Sequence, residues 1–367
     1  MNLSNDSRVV LTLDAGGTNF VFSAIKANKE IVQPVKLSPD VTDRNLCLDA
    51  IIMGFKQVIQ NLNEKPSAIS FAFPGPADYP SGIIGDLENL PAFRGGVPLG
   101  PILEEYFGLP VFINNDGNLF AYGEALGGFL PYINQKLLDA GSSKRFHNLI
   151  GVTLGTGFGV GLVTNNQLIA GDNSNGGEGW LLRDSLNPDC HVEEHLSREG
   201  IRRSYAQKAK LPIQDSGSPE EIYKIAKGNA EGNMDAAIMA FNDYGTVLGE
   251  ALANIITLFD GIVVLGGGVA GAYGLFAPAM MKQMASGFRV HGGHTIKRLI
   301  PKMYNLENSE ELNDFLSGNV KELAIPNSSR MIKYDPVLRS GVAVSKNDTA
   351  EIIAMGAYAF ALKMLDK

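Results

Sequence analysis

Cysteine is scarce in this chain: Cys47 and Cys190 are the two present, far apart in sequence. Two distant thiols build no disulfide framework and fit a reducing compartment, so a cytoplasmic location is expected. Basic residues are outnumbered, 31 Lys and Arg against 39 Asp and Glu, for a net charge of −8. An acidic surface repels polyanions, so neither nucleic acid nor a membrane is expected as a partner. The opening MNLSNDSRVV lacks the charged-then-apolar layout of a signal peptide. No G-x-x-x-x-G-K-[ST] occurs, which excludes a lysine-bearing phosphate loop of that kind. One long uncharged run, GIVVLGGGVAGAYGLFAPAMM between Asp260 and Lys282, has the length of a membrane span. Its glycine triplet and Pro278 would break such a helix, so a buried strand, a glycine turn and a helix are expected instead. The same run contains G-x-G-x-x-G, but no Asp or Glu stands between Asp260 and Glu307 to hold a ribose, which excludes a dinucleotide fold. A turn of this kind would let a flat purine lie against the backbone.

What is present is the material of an ordinary globular protein. The 367 residues are 45% hydrophobic, and that length favours two domains over one. VVLTLDAGG reads as a strand ending in glycines, followed by NFVFSAIKA and EIVQPVKLS as further strands. LIGVTLGTGFG repeats this grammar later in the chain, followed by VGLVT and LIAG. The recurrence predicts two related α/β domains, each opening with a hairpin that has a glycine-rich tight turn. AISFAFPGPAD reads as a strand into a turn, and PVFINNDGNLFAYGEALGG as a strand into a helix. A polar helical region is expected from about Ser218 to Leu258, and NLENSEELNDFLSGNVKELAIPNSS reads as a surface insertion. The closing TAEIIAMGAYAFALKML has small residues at helical spacing, suited to close packing on another helix.

Several short runs carry candidate chemistry. In LDAGGTN, Asp14 ends a strand and is followed by Gly16, Gly17 and Thr18; amides and a hydroxyl so placed can cradle phosphate, although a plain acidic hairpin turn would read the same way. LGTGFGVG offers Gly155, Thr156 and Gly157 at the matching place in the second half, and two such turns could clamp one phosphate tail. In INNDGN, Asp116 either caps a helix or acts as a general base toward a hydroxyl attacking a γ-phosphate, with Asn115 orienting the acceptor. A sugar needs several carboxylates and amides for its vicinal hydroxyls, and Glu178, Glu193, Asn89 and Asn115 together supply them.

HVEEH, at His191 to His195, matches the H-x-x-E-H pattern of inverted zinc peptidases. On a helix His191, Glu194 and His195 would share a face, while Glu193 would point elsewhere at the start of a helix running through LSREGIRRSYAQ. A peptidase also needs a third ligand further along the chain, and nothing marks one. A zinc held by Cys190 and the two histidines would have cramped geometry. The remaining reading gives Glu193 to a sugar hydroxyl.

These runs together resemble the ROK family of sugar kinases and sugar-responsive repressors, within the hexokinase/actin-like ATPases. The resemblance rests on LDAGGTN, FPGPAD, ENLPAF, LPVFINNDGNLFAYGE, LGTGFGVGLVTNNQLIAGDNSNGGE, VVLGGGVA and IIAMGAYAFA, in that order along nearly the whole chain. It implies two ribonuclease-H-like domains around an interdomain cleft that takes a hexose and ATP with Mg2+. Residues 1–120 with 349–367 would form the smaller domain, and 121–348 the larger one with the dimer surface of a homodimer. Asp14, Gly16, Gly17, Thr18 and Asn19 fall on the first phosphate loop. Gly155, Thr156 and Gly157 fall on the second, and Gly266, Gly267 and Gly268 on the adenosine turn. Asp116 falls on the catalytic base, and Gly75, Asn89, Asn115, Glu178 and Glu193 on sugar-binding positions. Leu181 departs from the family, which usually has His there, and LRDSLNPDCHVE keeps a single cysteine of the usual zinc cluster, so no structural zinc is expected. The implied function is ATP-dependent phosphorylation of a hexose: glucose, fructose, mannose or an N-acetylated hexosamine. The alternatives are a sugar-binding regulator, disfavoured by the short segment before Asp14, and a catalytically weak sugar-binding protein.

Overall fold

Residues 3–15, 19–38, 40, 42–85 and 91–367 are described by a computed structural model of the chain. The first apolar runs form a hairpin. β1 (Val10–Ala15) pairs antiparallel with β2 (Phe20–Lys26), Val10 opposite Ile25 and Ala15 opposite Phe20. The third expected strand is split by Pro34, which has no amide to give a ladder, into β3 (Lys29–Glu30) and β4 (Val35–Leu37), both on β2. After α1 (Arg44–Gln60), capped by Asp43, the chain enters β5 (Ala68–Ala72) and a small hairpin of β6 (Ala77–Asp78) and β7 (Ile83–Ile84). It continues through α2 (Leu99–Phe107), β8 (Val111–Asn114), α3 (Asp116–Leu126) and α4 (Phe129–Asp139). The sheet order is β3-β2-β1-β5-β8, and β1, β5 and β8 run parallel. All of β5 and the first four residues of β1 are buried, as strands covered on both faces require. Phe20, Phe22, Phe55, Phe71, Phe73 and Phe93 fill the core beside this sheet.

The second hairpin follows the same plan. β9 (Asn148–Leu154), β10 (Phe158–Thr164) and β11 (Gln167–Leu168) are joined by short turns. The expected strand LIAG reaches only Leu168. Next come α5 (Arg198–Ala209), α6 (Pro219–Ala226), α7 (Met234–Leu258), β12 (Ile262–Gly266) and α8 (Tyr273–Met284). The uncharged run is thus a buried strand, a glycine turn and a helix, and among the described residues no helix is long and apolar enough to cross a membrane. A hairpin of β13 (Gly287–Arg289) and β14 (Thr295–Lys297) precedes β15 (Lys302–Asn305) and α9 (Ser309–Ser317). A second hairpin of β16 (Lys321–Ala324) and β17 (Met331–Tyr334) leads to β18 (Arg339–Val344) and α10 (Thr349–Leu365). The sheet order is β11-β10-β9-β12-β18-β15, with β9, β12, β18 and β15 parallel. The run β11-β10-β9-β12-β18 therefore repeats β3-β2-β1-β5-β8, which is the repeat the two glycine hairpins announce.

The chain divides into two compact units. Met1–Pro131, Gly161–Gly177 and Lys346–Lys367 form one; Tyr132–Val160 and Glu178–Ser345 form the other. The boundary expected after residue 120 thus falls later, because α3 stays with the first unit as the packing partner of α10. There the two helices touch backbone to backbone: a Cβ on Gly356 would meet the Leu119 carbonyl oxygen at 1.9 Å, and one on Gly123 the Ile352 oxygen at 2.2 Å. The insertion after residue 305 is anchored through buried Phe315, stacked on Phe146 at 5.5 Å, while both strands of its hairpin are exposed.

Candidate functional site

In the first unit, chemistry gathers at the carboxyl ends of the parallel strands, the usual place for ligands in such sheets. Asp14 of β1 lies beside Ala72 of β5, which in turn lies beside Asn114 of β8. Asn114 is buried; its side-chain oxygen accepts from the Asn115 amide at 2.9 Å and from Asn118 Nδ2 at 3.0 Å, so the strand-to-helix junction is rigid. Asn115, not Asp116, caps α3: its Oδ1 accepts from the amides of Gly117 at 2.7 Å and Asn118 at 3.3 Å. Asp116 is the first residue of the helix and is exposed, with Oδ1 accepting from the Gly117 amide at 2.9 Å. A carboxylate there is favoured by the helix dipole, and its exposure leaves it within reach of a ligand. Burial pushes the Asp14 carboxyl above the ordinary carboxylate range, and the negative charges of Asp116 and Asp348 push the same way. Asp348 caps α10 through the amides of Ala350 and Glu351. Asn19 precedes β2 and accepts from Ser38 Oγ at 2.9 Å; Gly75 lies in the loop after β5. Gly16, Gly17, Thr18 and Asn89 lie outside the described residues.

In the second unit a cavity of about 660 Å³ opens beside the carboxyl ends of β9 and β12. Gly155 and Thr156 of the first turn line it, as do Gly268, Val269, Gly271 and Ala272 of the second. Ile201, Tyr223 and Phe241 give it an apolar wall, and Arg198 and Glu220 add charge. A Cβ on Gly155, Gly268 or Gly271 would meet nothing within 4 Å, so these backbones are open on the side a ligand would approach. Gly266 ends β12. Gly267 turns the chain with φ +87°, where a side chain would strike the Leu154 carbonyl. Of the three glycines expected at the adenosine turn, Gly268 is the one that lines the cavity. The aromatic wall and Arg198 were not singled out from sequence, because residues from three separate helices carry no common motif.

Glu193 and Glu178 also belong to this unit. Glu193 Oε2 accepts from the Phe158 amide at 2.8 Å, and a Cβ on Gly157 would fall 2.3 Å from that oxygen, so Glu193 braces the Gly155–Gly157 turn. Glu178 accepts from Trp180 Nε1, and Leu181 beside it is 59% exposed. The helix expected through HVEEH is not formed. Val192–Glu194 is one 3-10 turn, and α5 begins anew at Arg198 with Ser197 as its cap. A Cβ on Gly200 would meet the His195 carbonyl oxygen at 2.3 Å, so that carbonyl lies against the first turn of α5 rather than within it. His191, Glu194 and His195 therefore do not form the helical face a zinc peptidase requires. His195 Nδ1 pairs instead with Asp184 Oδ2, and Glu194 with Arg203 at 2.5 Å. Among the described residues no group of three His, Cys, Asp or Glu is placed to hold a metal.

The ROK family model matches residues 10–304. The glucokinase of Thermotoga maritima is 28% identical over 284 residues, covering 72% of this chain and 83% of its own. The N-acetyl-D-glucosamine kinase of Vibrio vulnificus is 28% identical over 268 residues, 70% of this chain and 83% of its own. The crystal structure of a glucokinase from Parabacteroides distasonis superposes with a TM-score of 0.90 at 50% identity over 99% of each chain. With a family match over residues 10–304 and paired glycine-turn hairpins, the chain belongs to the ROK family.

Proposed function

We propose that the protein is an ATP-dependent hexose kinase with Asp116 as its general base, its two units being ribonuclease-H-like domains. Asp116 carries the reading: a solvent-facing carboxylate on a rigid strand-to-helix junction, in the same unit as the acidic end of β1. A binding protein has no need of such a group. The cavity on Gly155, Thr156 and Gly268 accommodates a nucleotide, its aromatic wall against the base and the first turn toward the phosphates. Gly16, Gly17, Thr18 and Asn19 are proposed as further contacts to the phosphates. Asn115, whose carbonyl oxygen is committed to the helix cap, offers its amide N–H groups to a sugar hydroxyl. Gly75, Asn89, Glu178 and Glu193 complete the sugar contacts, the two glutamates through the carboxylate oxygens not engaged by Trp180 and Phe158.

In the reaction a sugar hydroxyl gives its proton to Asp116 as its oxygen bonds to the γ-phosphorus, and the bond from that phosphorus to the ADP oxygen breaks. A magnesium ion bound with the nucleotide would supply charge neutralisation on the phosphates. Asp14, already opposed by Asp116 and Asp348, is the acidic group suited to face it. The likeness to glucokinases and N-acetylglucosamine kinases supports a hexose or N-acetylated hexosamine as substrate. The protein is further proposed to act in the cytoplasm as a homodimer. The exposed Leu323, Met331, Ile332 and Tyr334 of the β16–β17 hairpin support an apolar contact with a second copy.

One observation favours a second reading. Exposed Leu181, where the family usually places His, withholds a polar sugar contact, as a catalytically weak binding protein would allow. A coupled ADP-release assay over glucose, mannose, fructose, N-acetylglucosamine and N-acetylmannosamine separates the two. Sugar-dependent ADP release with at least one sugar is the expected result. Binding of a sugar with no release above background would select the second reading.

A further inference from the structure

Asp184 is the charged group left without a role in this chemistry. Its side chain is fully buried, 0% exposed, which is costly for a carboxylate unless every oxygen is paired. Oδ1 accepts from the amides of Leu186 at 2.8 Å and Asn187 at 3.1 Å, and Oδ2 meets His195 Nδ1. The backbone closes the same loop twice more: the Asp184 amide donates to the Cys190 carbonyl at 3.0 Å and the Val192 amide to the Leu182 carbonyl at 2.8 Å. Asn187 Nδ2 donates to Cys190 Sγ at 3.0 Å, which occupies the one thiol of the region. The loop is thus tied by protein groups alone.

Its far end leads to the phosphate turn. His195 donates its amide to the Val192 carbonyl at 3.0 Å, which shapes the single 3-10 turn bearing Glu193. Glu193 then holds the Phe158 amide, and the Arg198 amide holds the Gly155 carbonyl at 3.0 Å. Segment 184–198 therefore grips both sides of Gly155–Gly157 and is itself fixed at Asp184.

The geometry points to Asp184 and His195 as a positioning clasp that needs no metal and sets Glu193 so that the Gly155–Gly157 turn is held open for phosphate. Neither residue touches substrate; both act through Glu193 and the turn. The phosphate role and the kinetic readouts rest on the kinase reading, while the bracing itself is independent of it.

Hydrogen exchange at the Phe158 amide of the full chain without ligand tests the clasp, alongside steady-state kinetics and zinc content. His195→Leu removes the donor at a partly exposed site. It is expected to speed exchange at Phe158 by about tenfold or more, one hydrogen bond's worth, and to raise KM for ATP by about tenfold. The kcat should stay within about threefold, because Asp116 is untouched. His195→Asn, which keeps a donor near Nδ1, is expected to restore both. Purified protein should carry well below one zinc per chain. Unchanged Phe158 exchange in folded His195→Leu overturns the clasp, as does equal behaviour of the Leu and Asn variants, or stoichiometric zinc in the wild type. Should His195→Leu fail to unfold cooperatively, Asp184→Asn, which takes away the carboxylate oxygen facing His195 Nδ1, decides: unchanged Phe158 protection in that folded variant overturns the proposal. Absence of any sugar kinase activity in the wild type would end the kinase reading and leave the exchange test standing.

Discussion

Asp14 ends β1 in a place that opposes its charge: burial first, then Asp116 and Asp348, push its carboxyl above the ordinary range. The unfolded chain loses this proton more readily than the folded one. Between the ordinary pKa, about 4, and the raised one, the folded state binds more protons, so stability falls as pH rises through that window. Above the window the charge remains a penalty. Asp14→Asn is therefore expected to raise the melting temperature at pH 7 while impairing use of the nucleotide, with the stability gain shrinking as pH falls through the raised pKa and gone by about pH 4. Melting curves from pH 3 to 8 check it; an unchanged or lower melting temperature at pH 7 contradicts it. Single residues were the most legible scale. Asp116 could be placed from INNDGN because a strand end followed by Asn and Asp specifies the junction locally, though the cap proved to be Asn115. Glu193 could be named but not understood, since its partner, the Phe158 amide, lies 35 residues away.

At the scale of elements, the sequence reading recovered both hairpins, β5, β8 and the helices α3, α8 and α10, passed over α1, α2 and α4, and failed where a side chain's local options decide. HVEEH runs into LSRE with no proline or glycine between, yet Ser197 accepts from the Gly200 amide at 3.1 Å and starts a new helix there. The contact of α3 with α10 was legible in kind, from the small residues of AMGAYAFA, but not in partner. Gly356 presses on the Leu119 carbonyl, a backbone atom that cannot swing aside. Gly356→Val is expected to destabilise the protein by about 1–3 kcal/mol by forcing the helices apart. Urea unfolding measures it, and a midpoint shift within error would show that the helices are free to separate.

For the whole molecule, the repeated glycine hairpins were enough to expect two related sheets, because the order hairpin-then-parallel-strands follows from short connections and buried apolar runs. The strand orders β3-β2-β1-β5-β8 and β11-β10-β9-β12-β18 match that expectation. The boundary between units was not legible, since it depends on α10 returning from the end of the chain to α3. The aromatic wall of the cavity was not legible either, since Ile201, Tyr223 and Phe241 come together only through the packing of α5, α6 and α7. The central claim is that this molecule transfers a phosphoryl group to a sugar with Asp116 as base, and Asp116→Asn addresses it most directly. Asparagine keeps the shape and loses the proton acceptor. Turnover with the best sugar of the panel should fall by about 10²–10⁴-fold, while the Kd for that sugar, measured by calorimetry, stays within about threefold. Near-normal turnover in that variant would contradict the account.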